Sequence, residues 1–473
     1  MRVTLAILLG KLVGWLSRAT GRGGGTSLPG RVALRVCPGL DARLAASLRR
    51  GVIVVTGTNG KTTTCKMVAA ILRRAGFQVV RNVSGANLRQ GLTTTLLAGA
   101  GLGGRIDADY ALLEVDEAAV AHALRPLRPI ALLVSNLFRD QLDRYGELST
   151  TAQRLAESIA ADLPDDALLV LNADDPLVAS LADMGSGRPV FYGIDCVARG
   201  LTEADHASDS HECPGCGTPL TYQIRYGAHL GLWRCEGCGR SRPSPDLTVA
   251  EAALQADLTE RVRLVAARAD GASATSADAL EASLKLPGLY NVANAAAAAA
   301  LTLALGVDPP RVREGLESTS AAFGRLERVG MPDGKTAVLM LVKNPAGLNE
   351  VTRLIAESGE PRPAMIALTD EIADGRDVSW IWDADLERLD GRVGRVVVSG
   401  VRAHDMALRL KYAGMDMGSV EIIADTRAAL ARALDLAPAG SQVYVLPTYT
   451  AMLDLRARLH AEGLVPAFWE ELE

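Results

Sequence analysis

Long hydrophobic runs, histidine and free cysteine are all in short supply here, and each shortage narrows what the chain can be. No stretch approaches eighteen uncharged apolar residues, so no transmembrane helix is expected. Seven cysteines in 473 residues cannot form a disulfide scaffold, and four of them sit in two C-x-x-C pairs, which favours metal in a reducing compartment. The net charge is −5, so there is no electrostatic case for nucleic acid; the basic residues are nearly all arginine, with only seven lysines, which reads as coding bias and not chemistry. With six histidines, the chain has little to activate a thiol. The cysteines outside the pairs, Cys37, Cys65 and Cys196, lie in no Gly-flanked elbow, and His122, His229 and His404 show no pairing with them. A chain so equipped is not expected to release ammonia from glutamine by itself.

The β-branched run Gly51-Val52-Ile53-Val54-Val55-Thr56 leads into Gly57-Thr58-Asn59-Gly60-Lys61-Thr62-Thr63 and then into a helical pattern with Val68, Ile71 and Leu72 on one face. Strand, glycine-rich loop and helix in that order make a phosphate-binding loop. Backbone N–H groups at the helix start face anionic oxygens, Lys61 reaches the terminal phosphates and the Thr62 hydroxyl can sit on Mg²⁺. Val55 stands where the general pattern G-x-x-x-x-G-K-[ST] has its first glycine. A nucleoside triphosphate is the expected ligand.

At this length two or three domains are expected. From Gly51 to about Gly193, β-like runs (VIVVTG, DYALLEVD, IALLVSN, ALLVLNADD, PVFYGI) alternate with helical patterns, which argues a mostly parallel sheet with helices on both faces. Ligands gather beyond the carboxyl ends of such strands, where the loop, Glu114, Asn136 and Asn172 all fall. Residues 205–245 break the pattern: Cys213 and Cys216, then eighteen residues, then Cys235 and Cys238. Four soft ligands in two tight knuckles suit a structural tetrahedral Zn²⁺ in a zinc ribbon. Nearby Arg225, Trp233, Arg234, Arg240 and Arg242 keep a nucleic-acid ribbon as the competing reading. A second alternating region (AVLMLVK, PAMIALTD, GRVVVSG, VEIIAD, QVYVLPTY) reads as a separate α/β domain. The expected division is 1–50 for an N-terminal helix and Gly-rich loop, 51–322 for the ATP-binding domain and 323–473 for a C-terminal, partner-binding domain. The apolar stretch in the first sixteen residues is either a helix docked on the core or an amphipathic segment with Trp15 and Arg18 at a membrane surface, docking being preferred.

These elements resemble the Mur ligase superfamily in order: T-G-T-N-G-K-T-T, Glu114 in ALLEVDE, N-A-D-D from Asn172 to Asp175, Asn291 and Asn294 with Tyr290 replacing a histidine, and Arg325 in FGRLE. The resemblance implies a P-loop central domain and a Rossmann-like C-terminal α/β domain. It also implies phosphorylation of a carboxylate by ATP, followed by attack of an amine on the acyl phosphate. By the same resemblance Thr58, Asn59, Gly60, Lys61, Thr62, Thr63 and Asn294 bind nucleotide. Thr62 and Glu114 hold Mg²⁺, and Arg325 contacts phosphate from a hinge. Two departures matter. Gln141 stands where a metal-assisting histidine is usual, and Met340-Leu341-Val342-Lys343-Asn344-Pro345 lacks the aspartate of the superfamily's D-Y-A-H-N-P. About fifty residues precede the loop, too few for a UDP-binding domain.

A narrower group, the MurT family, is similar along nearly the whole chain, through GGGTSLPG, the four-cysteine ribbon, VKNPAGLNEV, ADGRDVSWIWD and SGVRAHDMALRLKYAG. It implies ATP-dependent amidation of the D-glutamate α-carboxylate of lipid II to D-isoglutamine, in the cytoplasm with visits to the inner membrane face. The ammonia would come from glutamine hydrolysed by a separate subunit, GatD. By that resemblance Asp377 completes a Cys-His-Asp arrangement whose other members belong to the partner, with Trp380 and Trp382 as interface anchors. The plainer reading is an aspartate capping a turn and two core tryptophans; Asp374 and Asp383 are the fallbacks for the role. The rival functions are a free-standing Mur or folylpolyglutamate-type amino-acid ligase and a nucleotide-switched scaffold.

Overall fold

The computed structural model describes residues 2–19, 27–82, 85–138, 148–185, 187–201, 212–255, 259–267, 279–320, 325–358 and 361–466. Gln141 and the division expected between 322 and 323 lie outside the described residues.

The first sheet has nine strands: β1 (Gly51–Thr56), β2 (Val79–Arg81), β3 (Tyr110–Glu114), β4 (Ala131–Val134), β5 (Leu168–Asn172), β6 (Arg188–Ile194), then β9 (Leu247–Leu254), β10 (Glu260–Ala266) and β11 (Ala279–Leu284) beyond the ribbon hairpin of β7 (Leu220–Gly227) and β8 (Leu230–Cys235). Their order is β11-β10-β9-β6-β5-β4-β1-β3-β2, parallel from β2 to β9 and antiparallel across β9, β10 and β11. Successive side chains of a strand point to opposite faces, so Ile53 and Val55 pack beneath the helices Lys61–Arg74 and Leu289–Ala304, while Val52 and Val54 pack on the other side. The run Ala295–Ala300 is buried against the sheet, its small side chains letting that helix approach closely.

The sequence reading assigns no strands between the ribbon and Pro287, yet β9, β10 and β11 lie there. In β9 alanines fall on both faces, as in Ala250-Glu251-Ala252-Ala253, and that weakens its period-two signal. β10 alternates in burial all the same, and it buries Glu260, which pairs with Arg199 at 3.2 Å.

The second sheet contains β12 (Arg325–Gly330), β13 (Thr336–Met340), β14 (Arg362–Ala367), β15 (Val393–Ser399), β16 (Val420–Ile422) and β17 (Gln442–Pro447), in the order β12-β13-β17-β14-β15-β16. Among the described residues only β12 runs antiparallel to its neighbour. No described helix is long and apolar enough to cross a membrane. The N-terminal helix Arg2–Ala19 packs one face on the helices Leu28–Val36 and Arg89–Gly99.

Candidate functional site

From β1 the chain goes to the edge strand β2, returns to β3 beside β1, and then crosses to β4 on the other side of β1, which makes the carboxyl end of β1 the switch point of the sheet. The loop between β1 and the helix Lys61–Arg74 occupies that crevice. Gly57 (φ +132°) and Gly60 (φ +83°) adopt left-handed backbone there. A Cβ on Gly57 would lie 2.2 Å from Ser135 Oγ, and one on Gly60 would lie 2.1 Å from Asn294 Oδ1. Gly60→Ala therefore combines about 1–2 kcal/mol of backbone strain with a collision. It is expected to weaken nucleotide binding at least ten-fold by isothermal titration and to lower the melting temperature.

Lys61 is buried, with its ammonium 2.9 Å from Glu117 Oε2 and also donating to the carbonyls of Gly57 and Thr58. Burial pulls the Lys61 pKa down, but Glu117, with Glu114 and Asp116 behind it, raises it overall. Burial likewise pushes the Glu117 carboxyl up, and Lys61 brings it below its ordinary value. The pair is thus fully ionised at neutral pH. Glu117 was missed by the sequence reading; its one signal is the E-x-x-E spacing from Glu114.

The Thr62 hydroxyl donates to Glu114 Oε1 at 3.1 Å, bringing together the two groups expected to share a divalent cation. Hydroxyl plus carboxylate oxygen is the hard donor set that Mg²⁺ takes. The Glu114 backbone is fixed by Asn82, whose amide accepts from Glu114 N and donates to Glu114 O, both at 2.8 Å. No sequence motif points to Asn82. Thr63 is buried within the same first turn, and Asn294 accepts from Thr64 Oγ1 at 3.3 Å beneath the loop.

Around Asn59 an amide network links the two sheets. Its N–H donates to Asn136 Oδ1 at 2.8 Å, its carbonyl accepts from Asn136 Nδ2 at 3.0 Å, and its Oδ1 accepts from Asn344 Nδ2 at 3.2 Å. Asn344 also caps the helix Pro345–Glu357 by accepting from Gly347 N. The phosphate loop therefore touches the C-terminal half through the segment that departs from D-Y-A-H-N-P. Thr58 Oγ1 accepts from Phe138 N at 3.0 Å. A cavity of about 120 Å³ opens beside this network, lined by Asn59, Asn136, Tyr290, Asn294 and Lys343. Arg325 begins β12, opposite Met340, whose side chain reaches the same cavity.

The ribbon hairpin forms part of that wall. Tyr226, Gly227, Ala228 and Leu230 line the cavity, and Tyr226 O accepts from Arg353 Nη1 of the helix Pro345–Glu357. His229, fully buried at the tip, meets the Phe138 ring at a tilt of 55° with centroids 4.8 Å apart, and lies 3.4 Å from Asp175 Oδ2. Trp233 Nε1 donates to Ala173 O, and Arg242 pairs with Asp174 at 2.6 Å; burial pushes the Asp174 carboxyl up to about 6 even so. The N-A-D-D segment thus anchors the hairpin.

The sulfurs of Cys213, Cys216, Cys235 and Cys238 lie within 4.8 Å of one another, with Cys213–Cys238 at 3.6 Å and Cys216–Cys235 at 3.5 Å. Tetrahedral zinc with bonds of about 2.3 Å requires sulfurs about 3.8 Å apart, so the residues fit that ion. The N–H groups of Gly215 and Cys238 point at sulfurs, which suits thiolates. Replacing Cys213 and Cys235 together by serine is expected to remove bound zinc, read by atomic absorption, and to lower the melting temperature. Metal-free wild-type protein would contradict the ribbon.

In the second sheet Asp374 is buried with both oxygens engaged, by Thr369 Oγ1 at 2.7 Å and Thr450 N at 2.9 Å. Asp377 is exposed, its Oδ1 accepting from Ser379 N at 2.8 Å, and the Ser379 hydroxyl together with that N–H holds its carboxyl below the usual range. Asp383 is half-buried. Trp380 is half-buried beside the core, whereas Trp382 is 45% exposed and meets Tyr412, itself 70% exposed, edge-on at 5.6 Å.

Two family models match the chain, the Mur ligase middle domain over residues 55–220 and the MurT ligase C-terminal over residues 341–452. Over 469 residues the chain is 33% identical to the lipid II isoglutaminyl synthase (glutamine-hydrolyzing) subunit MurT of Streptococcus pneumoniae, with 98% of each chain covered. The chain belongs to the MurT family. A second MurT relative, from Staphylococcus aureus, is 30% identical over 461 residues, covering 97% of this chain and 98% of its own. Among solved structures, MurF from Acinetobacter baumannii superposes with a TM-score of 0.64 at 19% identity, covering 91% of this chain and 80% of its own. A folylpolyglutamate synthase from Mycobacterium tuberculosis complexed with ADP and AMPPCP gives 0.57 at 15% identity, covering 92% and 98%. These two share the Mur ligase fold with this MurT family member. The identity to the MurT subunits, running end to end, sets its family.

Proposed function

We propose that the chain is the ATP-dependent synthase half of a two-chain amidotransferase that converts the D-glutamate α-carboxylate of lipid II to D-isoglutamine in peptidoglycan synthesis. The observation that carries this reading is the end-to-end identity to subunits of that name, joined to a phosphate loop whose lysine, hydroxyl and carboxylate converge. ATP would lie with its phosphates along Gly57–Thr63 and its base in the cavity between Tyr226 and Tyr290. Thr62 and Glu114 would hold Mg²⁺, which neutralises charge on the phosphates when bound.

Positioning and charge neutralisation carry phosphoryl transfer. Lys61 would exchange Glu117 for the terminal phosphate, and Asn344 and Asn59 would keep the C-terminal half against the loop as the substrate carboxylate attacks. Arg325 would add its charge from the start of β12. An acyl phosphate forms and ammonia then displaces phosphate from it. The ribbon cysteines would hold a structural Zn²⁺ and keep the hairpin tip in the cavity wall.

Ammonia would arrive from a glutaminase-type subunit, GatD in the family resemblance. Asp377 would face that partner from an exposed turn, with Trp382 and Tyr412 beside it as anchors. The domains would divide at 50 and 322, the complex would be cytoplasmic, and its lipid-linked substrate would bring it to the inner membrane face. Affinity purification followed by mass spectrometry tests the arrangement. A co-purifying glutaminase-type chain that restores glutamine-dependent amidation is expected; glutamine-dependent amidation by this chain alone would overturn it.

A further inference from the structure

The helix Arg2–Ala19 has two opposite faces. Ala6, Ile7, Gly10, Gly14 and Ser17 are buried, and Gly10 approaches Leu97 so closely that a Cβ would sit 2.8 Å from it. At about 3.6 residues per turn, Leu5, Leu8, Leu12, Trp15 and Leu16 fall on one arc roughly 100° wide on the far side. They are 46–61% exposed, on a helix already anchored by its other face.

Charge distinguishes what this stripe fits. The first forty residues hold six cations (Arg2, Lys11, Arg18, Arg22, Arg31, Arg35) and no acid, whereas the other 433 carry 44 cations against 55 acids. Arg2, Arg31 and Arg35 are exposed. Lys11 is spent internally on Ala100 O at 2.5 Å. Leucines with a tryptophan on one arc, in a segment rich in arginine, form the pattern of a helix lying in a membrane interface. A protein partner for an apolar stripe would not call for a segment without acids.

We infer that this face is a docking surface for an anionic phospholipid bilayer, with the helix lying in the interface plane and the acidic remainder of the chain turned towards water. The inference deepens the proposed function and rests on it for its purpose, since a lipid-linked substrate is met at that surface; the physical contact can be tested apart from it.

The test is co-sedimentation of the full chain with vesicles of phosphatidylglycerol and phosphatidylethanolamine, against vesicles of phosphatidylcholine alone. Wild type is expected to pellet with the anionic vesicles and to be released by salt, while the double variant Leu8→Glu/Leu12→Glu loses roughly ten-fold or more of that binding. Its melting temperature and its activity on a lipid-free substrate fragment should be unchanged, and amidation of vesicle-embedded lipid II should fall. Equal binding by variant and wild type, or no binding by wild type, would overturn the inference. So would a wild-type dimer in lipid-free sedimentation that the double variant converts to monomer, since the face would then belong to a second copy. Vesicle binding without amidation of either substrate would uphold this surface and count against the proposed function.

Discussion

Lys61→Ala is expected to lower ATP-dependent turnover by roughly a hundred- to a thousand-fold, the loss typical of removing one preorganised electrostatic contact. The same substitution takes from Glu117, which is half-buried, the cation that does most to hold it ionised. Losing the partner of a largely desolvated charge costs at most about 3–5 kcal/mol, enough that a loss of activity alone could reflect unfolding. The double variant Lys61→Ala/Glu117→Gln separates the two effects. It should regain most of the stability, read by thermal melt, while turnover stays at the single-variant level. Recovery of turnover would mean that Lys61 only neutralises Glu117 and never reaches phosphate.

The second large effect is expected at Asp377. An aspartate that holds an imidazole in the right tautomer can be worth about 10⁴ in turnover when replaced by asparagine. Asp377→Asn keeps an oxygen to accept from Ser379 N, so the turn should survive. In complex with its glutaminase-type partner, the variant should lose glutamine-dependent amidation by roughly 10²–10⁴-fold while amidation with added ammonium is unchanged. Equal loss with both nitrogen sources would put Asp377 in the ligase step. Asp374 gives a contrast: with both oxygens tied to Thr369 and Thr450, Asp374→Asn should destabilise the fold and show no preference between nitrogen sources.

What could be read in the sequence was what is local. The phosphate loop declares itself because strand, glycines, lysine and hydroxyl fall within fourteen residues, and the zinc knuckles because their ligands are three apart. Glu117 and Asn82 escaped because nothing in a linear pattern says which carboxylate meets Lys61 or which amide clamps Glu114; both contacts are made when β2 and β3 pair beside β1. The ribbon read as an insertion stabilised by metal, but its tip enters the cavity wall through Tyr226, Gly227 and Ala228, a tertiary fact with no motif. Asn344 first drew notice for the aspartate its segment lacks, and the structure finds it on Asn59. The N-terminal helix docks one face on the core, the preferred reading of that segment, and leaves Leu5, Leu8, Leu12, Trp15 and Leu16 exposed on the other, because small and large residues segregate at helical spacing.

The central claim is that this chain activates a carboxylate through an acyl phosphate. It is tested most directly by supplying substrate with an ¹⁸O-labelled D-glutamate α-carboxylate, ATP, Mg²⁺ and ammonium, and measuring the isotope in the released phosphate. Label is expected in inorganic phosphate, one atom for each amide formed. Amide formation with unlabelled phosphate would contradict it.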